Sequence, residues 1–304
     1  MTKKLLVFWF LICFLLTGCV EIPDNKITVV ATIFPQYDIV RWIAKDKVDL
    51  YLTVSPGIDT HSYDPSVEDI IRIKKCDLFI YMAGCLEQWA VNLKDDSTGL
   101  VLDLSSNENI ILEEVEEKHE HHTNHDHVHD HDPHIWTSPT YLKFMAYDIC
   151  DELVKLDPTN KEFYEKNRDS YVFEIDKIIL EMNQFSIEAQ DKTFYFGTPF
   201  AMHYFFKEFN LKYESIYETC ATEIEPSIFD IIEMHETIIE DNVKNLYVKE
   251  LISTGVAERI INDTLCELQL LHSGHNVSSI DFKKGITLID IMNNNIIALR
   301  KELK

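Results

Sequence analysis

Eight of the thirteen histidines in this 304-residue chain lie between His119 and His134. Seven of them, His119, His121, His122, His125, His127, His129 and His131, alternate mostly with acidic and small polar residues. Neutral imidazole is a common ligand for Zn²⁺ and other borderline cations, so a tract of this composition is expected to bind metal weakly and exchangeably. It has almost nothing apolar to bury, which predicts a solvated loop over 117–131. The eighth, His134, stands in Asp132-Pro133-His134-Ile135-Trp136. There proline restricts the backbone and an Ile-Trp pair can pack, so His134 is expected in a fixed geometry, free of the ordering cost of a mobile ligand. His61 is a further candidate, because it follows Pro56-Gly57 after a β-branched run, and parallel α/β folds present their ligands at strand C-termini.

Metal ligands alone do not make an enzyme. A secreted zinc-dependent hydrolase, the alternative from another class, needs an open coordination position and a nearby general base. No HExxH is present, since His119-Glu120 and His235-Glu236 both lack the second histidine. There is no Gly-x-Ser-x-Gly elbow and, with eight glycines in all, no phosphate-cradling loop. The pattern reads as a binder, not an enzyme. A zinc-binding surface adhesin is the other alternative.

The first residues set the compartment. Lys3 and Lys4 precede the apolar run Leu5–Leu16, which is shorter than the roughly 20 residues of a spanning helix and reads as a secretion signal over 1–18. Leu16-Thr17-Gly18-Cys19 resembles a lipobox, so Cys19 is expected to carry the lipid, with 19–26 as a tether holding the protein at the outer face of the cytoplasmic membrane. Loss of Lys3 and Lys4 from 28 basic residues, against 52 acidic ones, leaves 26 against 52 and a net charge of −26. Such a surface disfavours nucleic acid and favours cations. Five cysteines remain, Cys76, Cys85, Cys150, Cys220 and Cys266; their number is odd and none forms a CxxC pair, so neither a thiolate cluster nor a disulfide framework is indicated.

Elements that must position these histidines follow from the alternation of runs. Strands are expected at Ile27–Phe34, Val48–Val54, Leu78–Met82 and Leu100–Leu104, and again at Thr193–Phe196, Tyr213–Tyr217, Leu246–Val248 and Leu268–Leu271. Helical stretches between them imply βαβ units and mainly parallel sheets. Lys161–Glu188 has no internal Gly or Pro and repeats apolar residues at helical spacing, giving a rod of about 42 Å at about 1.5 Å per residue. The expected fold is therefore α/β: an N-terminal lobe over 27–138, connecting helices over 139–190 including one long rigid helix, and a C-terminal lobe over 191–304. A ligand site belongs in the cleft between such lobes.

The lipobox, Phe34-Pro35, Gly-x-Asp-x-His at 57–61, Asp-Pro-His-x-Trp at 132–136, the long helix, Glu225-Pro226-Ser227 and Asn293–Leu303 together resemble the solute-binding lipoproteins of zinc and manganese ABC importers, the TroA-like family. The match runs nearly end to end, and the His-rich insertion resembles the zinc branch. The resemblance implies capture of Zn²⁺, with Mn²⁺ possible, as transported ligand, a permease and its ATPase as partners, and a monomer. It implies His61 and His134 as ligands from the first lobe. The usual third histidine falls on Pro199, with His203 one helical turn later as the substitute. The usual final aspartate falls at His272, with His275, Glu250 and Asp281 as alternatives and water able to complete the tetrahedron. A site of three or four imidazoles suits Zn²⁺ better than Mn²⁺.

Overall fold

The computed structural model describes residues 26–82, 85–113, 131–217 and 225–303. Cys19 and residues 117–130 of the expected histidine loop lie outside them. Two four-stranded parallel sheets form the frame. In the first, β1 (Ile27–Ala31) pairs with β2 (Val48–Leu52) and β3 (Leu78–Tyr81), and β3 pairs with β4 (Leu100–Asp103). In the second, β5 (Thr193–Phe196) pairs with β6 (Lys212–Ser215) and β7 (Asn245–Val248), and β7 pairs with β8 (Glu267–Leu270). The orders β2-β1-β3-β4 and β6-β5-β7-β8 are the same topology used twice. The central strands β3 and β7 are buried along their whole length, as parallel strands covered on both faces must be.

Helices of the first lobe are α1 (Phe34–Ala44), α2 (Val67–Lys75) and α3 (Gln88–Leu93). Between the sheets run α4 (Pro139–Leu156) and α5 (Lys161–Glu188), and the second lobe adds α6 (His203–Glu208), α7 (Ile228–Glu240), α8 (Gly255–Ile260), α9 (Ser279–Lys284) and α10 (Leu288–Arg300). The 28-residue α5 has the bounds expected from its unbroken apolar spacing. Its buried face, Tyr164, Tyr171, Val172, Ile175, Ile178, Met182 and Phe185, spans nearly six turns, so it is packed and not a free rod. Ser66, Ser227 and Thr287 begin α2, α7 and α10 with capping boxes closed by Asp69, Asp230 and Asp290.

One apolar core joins the lobes. Phe34, Trp136, Tyr171, Phe185, Phe194 and Leu299 belong to a single buried cluster that passes from the first sheet through α4 and α5 to the second. Polar ties reinforce it. Glu208 of α6 accepts from Ser138 Oγ and from Thr140 Oγ1 at 2.6 Å at the start of α4, and the Leu288 N–H of α10 donates to buried Asp38 of α1 at 2.8 Å. Among the described residues no helix is long and apolar enough to cross a membrane. Cys76, Cys150 and Cys266 are buried free thiols.

Candidate metal centre

Both sheets turn their strand C-termini toward one cleft. His61 follows β2, His134 follows β4 by way of the tract, Glu250 follows β7 by two residues and His275 follows β8 by five. The His61 ring centroid is 6.0 Å from that of His134 and 6.1 Å from that of His275. Imidazoles from both lobes thus flank His61.

Each ring is held by its own local structure. The chain leaves β2 through a turn closed by the Ile58 N–H to Ser55 O bond at 3.2 Å, with Gly57 at φ +88°, a conformation that suits glycine alone. Asp59 Oδ1 then accepts from the His61 N–H at 3.2 Å. Asp132 Oδ1 accepts from both the backbone N–H and Nδ1 of His134 at 2.8 Å, and the fully buried Trp136 packs 5.2 Å from the same imidazole. On His275, Nδ1 lies 2.8 Å from Glu250 Oε1 and 2.9 Å from Ser273 Oγ. Carboxylates therefore fix the Nδ1–H tautomer of His134 and His275 and aim Nε2 of each outward as a lone-pair donor.

The electrostatics match that division. Burial pushes the His61 imidazole down to a pKa of about 3, helped by His134, Lys249 and His275, so it is neutral at any ordinary pH. Burial also lowers His275 in spite of the neighbouring Glu250. For Glu250 burial acts upward, but the neighbouring His272, the His275 hydrogen bond and Ser273 outweigh it and hold the carboxyl well below the carboxylate range. Asp132 behaves alike, burial being overcome by His134. The cleft thus presents His61 and His275 as neutral imidazoles beside the ionised carboxylates of Asp132 and Glu250. Nε2 of His61 and Nε2 of His134 are buried with no hydrogen-bond partner. Buried polar atoms are almost always paired, so two unpartnered ring nitrogens on neighbouring rings mark a place for a ligand.

Spacing shows how far the site is from closed. Imidazoles holding one tetrahedral ion at about 2.0–2.1 Å have ring centroids about 5 Å apart. The observed 6.0 and 6.1 Å are wider, and among the described residues no three His, Cys, Asp or Glu groups stand at metal-holding distance.

Other residues singled out from the sequence make different contacts. His272, expected to be a ligand, uses Nδ1 to accept the Gly274 N–H at 2.9 Å, with Glu250 Oε1 at 3.4 Å. The left-handed turn at Gly274 (φ +76°) follows it, and the chain reversal brings His275, held only as an alternative, to His61. His203, the expected substitute for the residue at Pro199, sits 3.4 Å from the Tyr213 hydroxyl and edge-on to Tyr204. Asp281 is spent on the start of α9, accepting from Ser278 Oγ at 2.7 Å and pairing with Lys284 at 3.0 Å. Glu250 orients His275. His131 is the one member of the tract among the described residues, and its Nδ1 is buried without a partner.

The arrangement has known relatives. A family model described as ZnuA, zinc-uptake complex component A periplasmic, matches residues 29–302. The chain belongs to this family. Among ZnuA-family proteins it is 30% identical to the high-affinity zinc uptake system protein ZnuA of Bacillus subtilis over 290 residues, 94% of this chain and 90% of that one. It is 26% identical to the zinc-binding lipoprotein AdcA of Streptococcus pneumoniae, covering 91% of this chain but 56% of AdcA, so it spans little more than half of that relative. The solved structure of the laminin-binding protein Lmb of Streptococcus agalactiae, described as bifunctional with adhesin and metal-transporting activity, superposes with a TM-score of 0.78 at 27% identity over 92% of this chain and 100% of that one. The twofold parallel-sheet frame with a long helix is the ZnuA-like architecture.

Proposed function

We propose that this protein is the extracytoplasmic solute-binding component of an ABC importer and that its cargo is Zn²⁺. The observation that carries this reading is the pair of buried, unpartnered Nε2 atoms on His61 and His134, faced by His275 across the cleft. In this reading the cargo binds Nε2 of His61, His134 and His275, water takes the fourth place, and Asp132 and Glu250 hold the rings. Three imidazoles favour Zn²⁺ over Mn²⁺, which takes more oxygen ligands. Names of the relatives, zinc uptake in one and zinc binding in another, support the same cargo. A permease and its ATPase are the partners this role requires, and Cys19, the residue closing the lipobox-like tetrapeptide, is the proposed anchor to the membrane's outer face.

Hydrolysis is poorly served by the same residues. A zinc hydrolase needs a carboxylate free to take a proton from metal-bound water. Glu250 is already saturated by Ser273 and His275 and held far below the basic range. Adhesion is the second reading, favoured by the full-length likeness to Lmb. Titration of chelator-treated protein with Zn²⁺ tests the proposal: one tight, reversible equivalent is expected with the fold intact in its absence. Failure to bind, or unfolding on metal removal, would contradict it.

A further inference from the structure

Two peptide groups far apart in sequence end on one phenol. Tyr204 of α6 is 3% exposed, and its hydroxyl accepts the Glu113 N–H at 3.0 Å and donates to Asp132 O at 2.9 Å. The same two residues are joined directly, since the Asp132 N–H donates to Glu113 O at 2.9 Å. Lys207, also of α6, adds an ion pair with Glu113 at 2.5 Å. Both backbone groups of Asp132 are thus engaged, and Pro133 after it restricts its backbone further. What remains to Asp132 is its carboxylate, and Oδ1 spends it on the N–H and Nδ1 of His134 at 2.8 Å. A continuous path of hydrogen bonds therefore runs from α6 of the second lobe through Asp132 to an imidazole of the first.

We propose that Tyr204 is a positioning residue of the metal centre, whose hydroxyl holds the Asp132 main chain so that its carboxylate meets His134 Nδ1. This rests on the reading of the cleft as a zinc site. The hydroxyl is matched to the task, because a phenol accepts from one peptide and donates to the other at once, which no apolar ring can do. Without it the Asp132 carbonyl and the Glu113 N–H lose their shared partner, and the Asp132 backbone is fixed at its N–H alone. The carboxylate is then free to leave Nδ1, and with it goes the tautomer that keeps Nε2 of His134 a lone-pair donor. In this scheme Tyr204 acts on the metal centre only through Asp132.

Tyr204→Phe in the full chain tests it, since the ring that packs 5.7 Å from Tyr141 stays and the hydroxyl alone is lost. In competition against a zinc chelator the variant should bind Zn²⁺ about tenfold more weakly, the low end of what losing a ligand's outer partner costs. Asp132→Ala should weaken binding at least as much, and adding Tyr204→Phe to it should then cost less than about twofold. In imidazole nitrogen NMR spectra of the metal-free protein, Tyr204→Phe should move the His134 signals while His275, on the other lobe, keeps its own. Unchanged zinc affinity in the folded variant, an equal loss with and without Asp132, or equal movement of His134 and His275 would overturn the proposal. Should Tyr204→Phe not fold, amide exchange of the unaltered protein decides it. Coupling is reciprocal, so Zn²⁺ should slow exchange of the Glu113 N–H about tenfold beyond any slowing in α7, and equal slowing would overturn the proposal. Absence of zinc binding by the unaltered protein would overturn the reading beneath it, whereas the His134 signals, recorded without metal, test the role of Tyr204 by themselves.

Discussion

A carboxylate on Nδ1 decides what the opposite nitrogen of a histidine can do, and two of the three converging rings carry one. Replacing such a partner in a metal centre weakens binding about ten- to a hundredfold. Glu250→Gln is therefore expected to lower zinc affinity by that factor, measured by chelator competition, because the amide is a weaker acceptor for His275 Nδ1–H. His275→Ala should cost far more affinity than His272→Ala, the reverse of what the sequence alone implied. Retention of tight binding by His275→Ala would assign the role to His272 after all. Sequence led to His61 and His134 because their neighbours, Pro-Gly on one side and Pro133 with Trp136 on the other, mark ordered turns. It favoured His272 where the proposed site uses His275, because strand patterning shows where β8 ends, not that Gly274 adopts a left-handed turn that carries the chain past His272. The pairing of Asp132 with His134 was equally out of view, since a two-residue carboxylate–imidazole contact depends on backbone angles that no spacing rule supplies.

Four consecutive residues after β8 perform most of the assembly. Ser273 O accepts from Trp136 Nε1 at 2.9 Å and Ser273 Oγ reaches Glu250 at 2.6 Å, while His275 faces the cleft. The buried Asn276 amide then donates to Ser55 O at 2.9 Å and Ile58 O at 2.7 Å, grasping the turn that presents His61. Asn276→Ala removes both bonds, while Ser55 O keeps the Ile58 N–H, a loss of about 0.5–1.5 kcal/mol in stability. Because the lost bonds position His61, zinc affinity should also fall, and a thermal scan with a parallel zinc titration separates the two effects; loss of stability with unchanged affinity would mean the turn holds itself. Longer elements were legible from periodicity: α5 matches at both ends, and β5 at both ends, because unbroken apolar spacing admits one answer. Short helices such as α3 and α9 were not, since six residues hold too little pattern and their bounds come from caps such as Ser278 with Asp281.

On the scale of the whole molecule, a core continuous across both lobes predicts that the chain folds without metal. Stability should instead respond to pH through buried carboxyls remote from the cleft. Glu87 is buried, accepts from the Met82 N–H at 2.7 Å and Gln36 Nε2 at 3.3 Å, and burial pushes its pKa up to about 7. A carboxyl raised in the folded state contributes stability that is present below its unfolded value near 4.5 and is lost as pH rises through about 7. Glu87→Gln, which stays neutral, should accordingly gain stability relative to the unaltered protein across that window, reaching about 3 kcal/mol above pH 8. A constant difference between pH 4.5 and 8 in chelator-treated denaturant titrations would refute it. Such a carboxyl could not be foreseen, because Glu87 adjoins a short turn that no periodicity marks. The two-lobe frame was foreseen, since strand–helix alternation occurs twice around one long helix. The central claim is that zinc sits between the lobes on three imidazoles, and crystals of zinc-loaded protein measured at the zinc absorption edge test it most directly. The account predicts one strong anomalous peak about 2.0–2.1 Å from Nε2 of His61, His134 and His275; a peak against His272 or His203, or none in the cleft, would contradict it.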